Sequence, residues 1–242
     1  MTKTKDAAIP VVPLRDMAPQ PGTTLPMFVG RERSKNAVRA AAAGKTPIIL
    51  VSQKSIAVEN PAPGDLYGVG IIGELNQVIE HPDGTIRIVV TSKSRGVLRN
   101  VRIGKDYLVA EFDQIKPAPA SADVAKAAKS AVKSFGAYCK VREDDMLAES
   151  RQLLGRLNEL QTQIQALRAA SESVARFTDP AALADLIHGC IHTQLQPEKL
   201  SDPEVVKTLD ARIRAKQAIL SEPDPAKRLQ LLRKFVEDET KG

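Results

Sequence analysis

The feature that most constrains the fold is a change of pattern at the proline- and alanine-rich segment 117–122 of this 242-residue chain. Before it, apolar residues stand in short runs bounded by proline, glycine and aspartate, which is typical of β-strands. After it, apolar residues recur at steps of three and four, which is typical of amphipathic helices. The sequence therefore predicts an α+β protein with a β-rich domain at residues 1–118 and an α-helical domain at residues 119–242.

The β-rich part is predicted to hold six or seven short strands and one or two helices. Its clearest signal is the Asp83-Gly84 pair between apolar runs at 71–80 and 85–91, which indicates a β-hairpin. The alanine-rich run at 31–43 predicts a helix that ends near Gly44. Short strands at this spacing favour a small closed or nearly closed sheet.

The helical part is predicted to begin with a helix through about residue 142, followed by a longer helix at 143–177. Asp-Pro pairs at residues 179, 202 and 224 mark three further helix starts, because proline is tolerated in the first turn. The longer helix carries a heptad-like apolar seam, which is typical of a helix packed in a bundle. The seam consists of Leu153, Leu157, Leu160, Ile164, Leu167 and Val174.

Composition limits the compartment and the class of protein. Apolar residues make up 43% of the chain and charged residues 26%, which is ordinary for a globular protein. No apolar run approaches the ~20 residues of a membrane span, and the N-terminus lacks the pattern of a secretory signal. The two cysteines, Cys139 and Cys190, are predicted to be buried free thiols rather than a disulfide. We therefore expect a cytoplasmic protein that does not associate with membranes.

Several short segments match parts of catalytic or cofactor-binding motifs, but the residues around them do not fit those sites. The GxGxxG match at 68–73 lacks the preceding strand and following helix of a dinucleotide site, so its glycines are predicted to permit close packing of a curved sheet. Gly44-Lys45-Thr46 follows a helix instead of preceding one, so it is not a phosphate-binding loop. His188 and His192 share a helix face but have no third metal ligand. We predict no catalytic, cofactor-binding or metal-binding residue.

The order of several short segments resembles the N-terminal domain of Lon-type ATP-dependent proteases, over roughly residues 9 to 240. These segments are Pro13-Leu-Arg-Asp16, Leu25-Pro-Met-Phe-Val-Gly-Arg31, Val51-Ser-Gln-Lys54, Asp65-Leu-Tyr-Gly-Val-Gly70, Pro82-Asp-Gly-Thr85, Ser134-Phe-Gly-Ala-Tyr138 and Asp179-Pro-Ala-Ala-Leu-Ala-Asp-Leu-Ile187. The resemblance implies a PUA-like β-barrel subdomain followed by a helical bundle with a long C-terminal helix.

The resemblance also implies a function without chemistry of its own. It implies a module that recognises unfolded, damaged or tagged polypeptides for ATP-dependent proteolysis carried out elsewhere, and that assembles with other Lon-type subunits. Neither the ATPase nor the Ser-Lys peptidase of the family occurs in this sequence, so we expect no enzymatic activity from this chain. It is expected to be either a piece of the protease or a free-standing relative.

Two surfaces are candidates for binding. The first is a methionine- and proline-rich edge predicted to bind polypeptides, because methionine repacks easily against varied partners; it consists of Met17, Pro19, Pro21 and Met27. A core position for Met27 is the alternative. The second is a basic face predicted to bind nucleic acid, consisting of Arg95, Arg99, Arg102 and Lys105. It lacks the aromatic residues that stack on single strands, so a solvated face or an acidic partner is the alternative.

Overall fold

A computed structural model describes residues 8–116, 118–119, 122–152, 157–191 and 202–241 of the chain. Its strands β1 to β6 are Ile9–Leu14, Thr24–Val29, Ile48–Ser52, Val69–Glu80, Ile86–Ile103 and Leu108–Gln114. Its helices α1 to α6 are Glu32–Gly44, Val124–Gln152, Leu157–Arg176, Pro180–Cys190, Pro203–Ser221 and Pro225–Lys241. The predicted α+β class is confirmed. Each helix in the described ranges is too short or too polar to traverse a lipid bilayer.

The sheet closes on itself through its longest strand. The strand order is β2-β5-β4-β3-β1-β6, and β5 also pairs with β6. The first half of β5 pairs with β2, whereas its end at 96–103 pairs with β6. The sequence pattern predicts two strands, at 85–91 and 97–103, but the structure has one strand of 18 residues. The prediction of a closed sheet is confirmed, and β2 is left as an extra strand on the outside of the ring.

Glycines permit the close approach of neighbouring strands at two positions of β4. A Cβ added to Gly70 would lie 2.6 Å from the Leu50 carbonyl oxygen, and one added to Gly73 would lie 2.5 Å from Val90 Cγ1. Both distances are too short for a real side chain. The packing role predicted for the GxGxxG glycines is confirmed for these two residues. Gly68 has open space around it, so the prediction is wrong for that position.

The core of the sheet lies on both sides of its central strands. On one side, Val38 and Ala41 of α1 belong to a buried cluster with Leu50 and Ile88. On the other side, Ile49 belongs to a second cluster with residues of β1, β5 and β6. Strand β3 contributes to both because its five residues are all buried, as expected of a central strand.

Contacts divide the described chain into two compact units. The first contains the residues up to 116 and α5, and the second contains α2, α3, α4 and α6. Helix α5 joins the sheet unit because Leu209 and Ile213 pack on Ile56, and the Asp210 carboxylate accepts the Ile56 N–H at 2.8 Å. The sequence pattern places α5 in the helical part instead. The domain boundaries at 1–118 and 119–242 stay a prediction.

The helical unit differs from expectation in where its first helix ends. Helix α2 continues past residue 142 to Gln152, and α3 begins at Leu157. The predicted single helix at 143–177 is therefore wrong. No glycine or proline lies between Gly136 and Gln152 to end the helix. The seam prediction is confirmed for the buried residues Leu160, Ile164 and Val174, whereas Leu153 lies outside the described residues.

The thiol of Cys139 in this unit is expected to resist labelling. Burial raises its pKa to about 11, and Cys190 and Glu143 act in the same direction against a hydrogen bond with Ser171. Because the thiolate is the reactive form, only about one thiol in a thousand is ionised at pH 8. We expect iodoacetamide to modify Cys139 quickly only after unfolding, as read by mass spectrometry. Rapid modification of the native protein at Cys139 would contradict the placement.

Candidate functional site

The candidate site is a groove of about 340 Å³ in the sheet unit. It lies between the end of β1, the segment that follows it, and the end of β2. Its lining residues are Val12, Pro13, Leu14, Arg15, Asp16, Met17, Met27, Phe28, Val29, Gly30, Arg31 and Ser34. The lining combines an apolar wall with charged side chains at one end. We call this site the β1–β2 groove.

Two predicted polypeptide-binding residues lie in this groove. Met17 and Met27 are partly buried and pack against the core cluster beneath them. The Met17 backbone is fixed, because its carbonyl oxygen accepts a hydrogen bond from Ser52 Oγ at 2.8 Å. Met27 therefore fits both interpretations, core and surface, because its side chain contacts the core and also lines the groove.

The two predicted prolines lie apart from the groove lining. Pro19 is buried and Pro21 is half-buried, in the turn that connects β1 to β2. Gly22 follows with a φ of 76°, the left-handed region that glycine tolerates best. The prolines shape the turn that returns the chain to β2, so their effect on the groove is indirect. Their role in binding stays a prediction.

The charged end of the groove is built by two arginines that hold a neighbouring loop. Arg31 donates to the Pro13 carbonyl at 2.6 Å and to Gln53 Oε1 at 2.8 Å. Arg15 Nε donates to the Ile56 carbonyl at 2.7 Å. Burial lowers the pKa of Arg31, as does Arg15, whereas nearby acidic groups raise it. Since both guanidinium groups already bind backbone or amide oxygens, their main effect is to keep this end of the groove rigid.

Phe28 is the apolar residue of the groove that the sequence reasoning missed. Its side chain is 70% exposed, the largest fraction among the exposed large hydrophobic residues described. Its ring lies 5.8 Å from the His81 ring, tilted by 48°. The sequence does contain a signal for this exposure, because strand alternation puts Phe28 on the same exposed face as Thr24 and Pro26.

Strand β2 also leaves one side of its backbone unpaired within the sheet. Among the described strands it pairs with β5 alone, and Pro26 lies opposite Val89. A proline has no N–H to contribute to a ladder, so it is tolerated where its nitrogen points away from the partner strand. The open edge of β2 therefore lacks a donor at its centre.

The predicted basic face is broken up by the fold. Arg95 is only 6% exposed and donates to the Leu220 carbonyl at 2.7 Å, at the end of α5. Arg99 forms an ion pair with Asp113 of β6. Arg102 and Lys105 are exposed. The sequence stretch lacks acidic residues, but the neighbouring strand supplies them, which is why a linear reading overestimates the positive charge.

Potential metal ligands do not cluster in the described part of the chain. No group of three or more His, Cys, Asp or Glu side chains there is placed to hold a metal ion. His188 is buried in α4, and His192 lies outside the described residues.

Comparisons with known proteins agree on one family. The family model of the ATP-dependent protease La (LON) substrate-binding domain matches residues 8–238. The chain is 27% identical over 232 residues to the Lon protease of Escherichia coli K12 and 27% identical over 240 residues to Lon protease 1 of Myxococcus xanthus. Each alignment covers 96% of this chain, and the chain spans about a quarter of the length of each relative, 25% and 24%.

A solved structure shows the same fold. The N-terminal domain of Mycobacterium avium complex Lon protease superposes with a TM-score of 0.60 at 20% identity, covering 96% of this chain and 99% of that one. The comparisons give no support to the nucleic-acid alternative. The matched module is the non-catalytic part of the family. Because the family model covers nearly the whole sequence, this chain belongs to the Lon substrate-binding domain family.

Proposed function

We propose that this chain binds unfolded, damaged or tagged polypeptides in the β1–β2 groove and presents them for ATP-dependent proteolysis by Lon-type subunits in the cytoplasm. The observation that supports the groove most directly is that Phe28, which is 70% exposed, is one of its lining residues together with Met17 and Met27. Covering a large exposed aromatic side chain with an apolar partner is favourable, because it removes apolar surface from water. Family membership supports the class of partner, a protein substrate.

The shape and chemistry of the groove suit a segment of unfolded chain. A volume of about 340 Å³ accommodates a few apolar side chains and is far too small for a folded domain. Folded proteins bury most of their large apolar side chains, so an unfolded chain offers many more of them to such a groove. Methionine side chains adapt to differently shaped partners, which favours binding of many different polypeptide sequences over binding of a single one.

Substitution of Phe28 by serine is expected to weaken binding of an unfolded model protein about fivefold or more, as loss of an exposed aromatic anchor does at interfaces. The probe is a reduced, carboxymethylated protein, titrated by fluorescence anisotropy, with the same protein in its native form as the negative probe. Thermal unfolding of the variant should be unchanged, because Phe28 is exposed.

The matched control is Ile103→Ser. Ile103 is also an exposed apolar residue of β5, 49% accessible, and it does not line the groove. Binding to this control variant should equal that of the original chain. Equal weakening by both substitutions would show that general surface hydrophobicity, not the groove, binds the polypeptide. Equal affinity for the native and unfolded probes would contradict the proposed class of partner.

A further inference from the structure

The outer face of the sheet formed by β2, β5 and β4 carries a row of three side chains. Phe28 of β2 pairs with Arg87 of β5, and Arg87 pairs with Ile79 of β4. Ladder partners project from the same face of a sheet. Since neighbouring strands lie about 4.8 Å apart, the row spans about 10 Å. We call these three residues the outer row.

All three side chains of the outer row are exposed, and two of them are large and apolar. The other exposed large hydrophobic side chains described lie at the end of β5 or in the helical unit; they are Ile103, Leu147, Phe177 and Leu231. Within the described chain, strand pairing therefore joins Phe28 and Ile79 alone of this set on a common face. Apolar side chains gathered on one exposed face are typical of interaction sites.

Arg87 stands between these apolar side chains and pairs with no anion among the described residues. Val89 follows it on the same face and is half-buried. The carboxylates of the neighbouring strand and hairpin are already engaged, in the ion pairs Glu74–Lys93 and Glu80–Arg39 and in hydrogen bonds of Asp83 with Thr85. The N–H donors of the Arg87 guanidinium are therefore available to a partner.

We propose that the outer row extends the β1–β2 groove and selects polypeptide segments that carry a carboxylate between large apolar side chains. This inference rests on the proposed function, because it names the class of polypeptide that the groove receives. Phe28 connects the two surfaces, since it lines the groove and begins the row. A guanidinium binds a carboxylate through two parallel N–H···O bonds, while Phe28 and Ile79 offer apolar contacts on either side of it.

The charge of the row favours a polypeptide over two other partners with apolar surface. In a two-fold contact between copies of this chain over the outer row, the two Arg87 side chains approach each other, and like charges repel. An anionic membrane surface attracts clusters of several basic residues, whereas Arg87 is the one cation of the row and the adjacent hairpin carries Asp83. A segment with its own carboxylate supplies the opposite charge directly.

The test uses the full chain and short labelled peptides that differ only at their central residue, which is glutamate, glutamine or lysine. Two leucines flank the centre at alternate positions, so that an extended chain presents all three side chains on one face. Fluorescence anisotropy at low ionic strength should show about fivefold tighter binding of the glutamate peptide than of the glutamine peptide. This preference should shrink as salt is added.

Two substitutions of Arg87 separate selection from binding itself. R87Q should bind the glutamate and glutamine peptides equally, with the affinity of the original chain for the glutamine peptide, because the apolar contacts remain. R87E should reverse the preference and bind the lysine peptide more tightly than the glutamate peptide, a result that damage to the fold cannot produce. Thermal unfolding of both variants should match that of the original chain, because Arg87 is exposed.

The matched control is R214Q. Arg214 of α5 is also exposed and belongs to the same unit, so the control loses the same charge outside the outer row. It should keep the preference for the glutamate peptide within about twofold. Equal loss of the preference in R87Q and R214Q would overturn the proposal in favour of net charge alone.

Other outcomes distinguish this inference from the proposed function. If the original chain binds the unfolded probe protein but binds the glutamate and glutamine peptides equally, the inference is wrong and the proposed function stands. If it binds neither the peptides nor the unfolded probe, both are wrong. Dimerisation that is lost in Ile79→Ser, or binding of anionic vesicles, in place of peptide binding would identify a different occupant and overturn the inference.

Discussion

Replacing Asp185 by asparagine is expected to destabilise the helical unit by about 3–5 kcal/mol, the usual cost of removing one partner of a buried ion pair. Asp185 of α4 receives two hydrogen bonds from Arg228 of α6, one of them 3.0 Å long. The Arg228 side chain is 2% exposed and that of Asp185 is 20% exposed. The substitution removes the negative charge that Asp185 places against this buried guanidinium. Urea unfolding followed by helical circular dichroism measures the loss.

Two controls distinguish the effect of breaking the buried Asp185–Arg228 ion pair from the effect of removing any charge. The exposed pair Arg176–Glu172, at 82% and 67% exposure, offers Glu172→Gln, which should leave unfolding essentially unchanged. The double variant Asp185→Leu with Arg228→Met removes both charges and should recover most of the stability lost by Asp185→Asn. If Asp185→Asn unfolds at the same urea concentration as the original chain, the ion pair does not hold α4 to α6.

Gly70→Ala is expected to destabilise the sheet unit by about 3 kcal/mol, at the upper end of the range for overpacking. The added Cβ would lie 2.6 Å from the Leu50 carbonyl oxygen and 3.1 Å from Leu98 Cδ1. The first contact is with backbone of β3, which pairs with β4, so the clash cannot be relieved by rotating a side chain. The measurement is the unfolding midpoint of the variant in urea.

Gly68→Ala is the matched control, two residues away in the same segment. An added Cβ there meets no atom within 4 Å, and a non-glycine residue loses less conformational entropy on folding. The control should therefore change stability by no more than about 0.5 kcal/mol. Equal destabilisation by both alanines would show that chain flexibility, rather than close packing at Gly70, explains the need for glycine.

Local signals in the sequence predicted the fold well where the governing physics is itself local. The Asp83-Gly84 turn connects β4 and β5 as expected, and the alanine-rich run forms α1. The Asp-Pro pairs precede α4, α5 and α6. Each of these signals depends on the backbone preferences of a few adjacent residues, so no distant contact is needed to interpret it.

Features that depend on distant contacts were missed. The continuity of β5 follows from its pairing with three different strands. In the sequence, Gly96 resembles a residue that ends a strand, whereas in the structure its missing side chain leaves room for the Phe112 ring. The attachment of α5 to the sheet depends on Asp210 and Ile56, which are 154 residues apart. No periodicity within α5 distinguishes a helix that packs on a sheet from one that packs on other helices.

The candidate site was predicted in part. The adaptability of methionine points to Met17 and Met27 in the sequence, and both line the groove. Phe28 was missed because it was counted as a member of an apolar run, although strand alternation exposes it. The basic face was overestimated because residues adjacent in sequence, such as Arg95 and Arg99, are separated by burial and by an acidic neighbour on another strand.

The proline on the outer edge of β2 has a consequence for the proposed binding of unfolded chains. An exposed strand edge is a template on which other strands add, and such growth leads to insoluble cross-β aggregates. Pro26 removes the central donor from that edge. In the proposed complex, side chains of the bound polypeptide occupy the neighbouring groove, while its backbone finds no continuous hydrogen-bonding ladder on this edge. The proposed binding of aggregation-prone chains would then not nucleate cross-β growth on the domain itself.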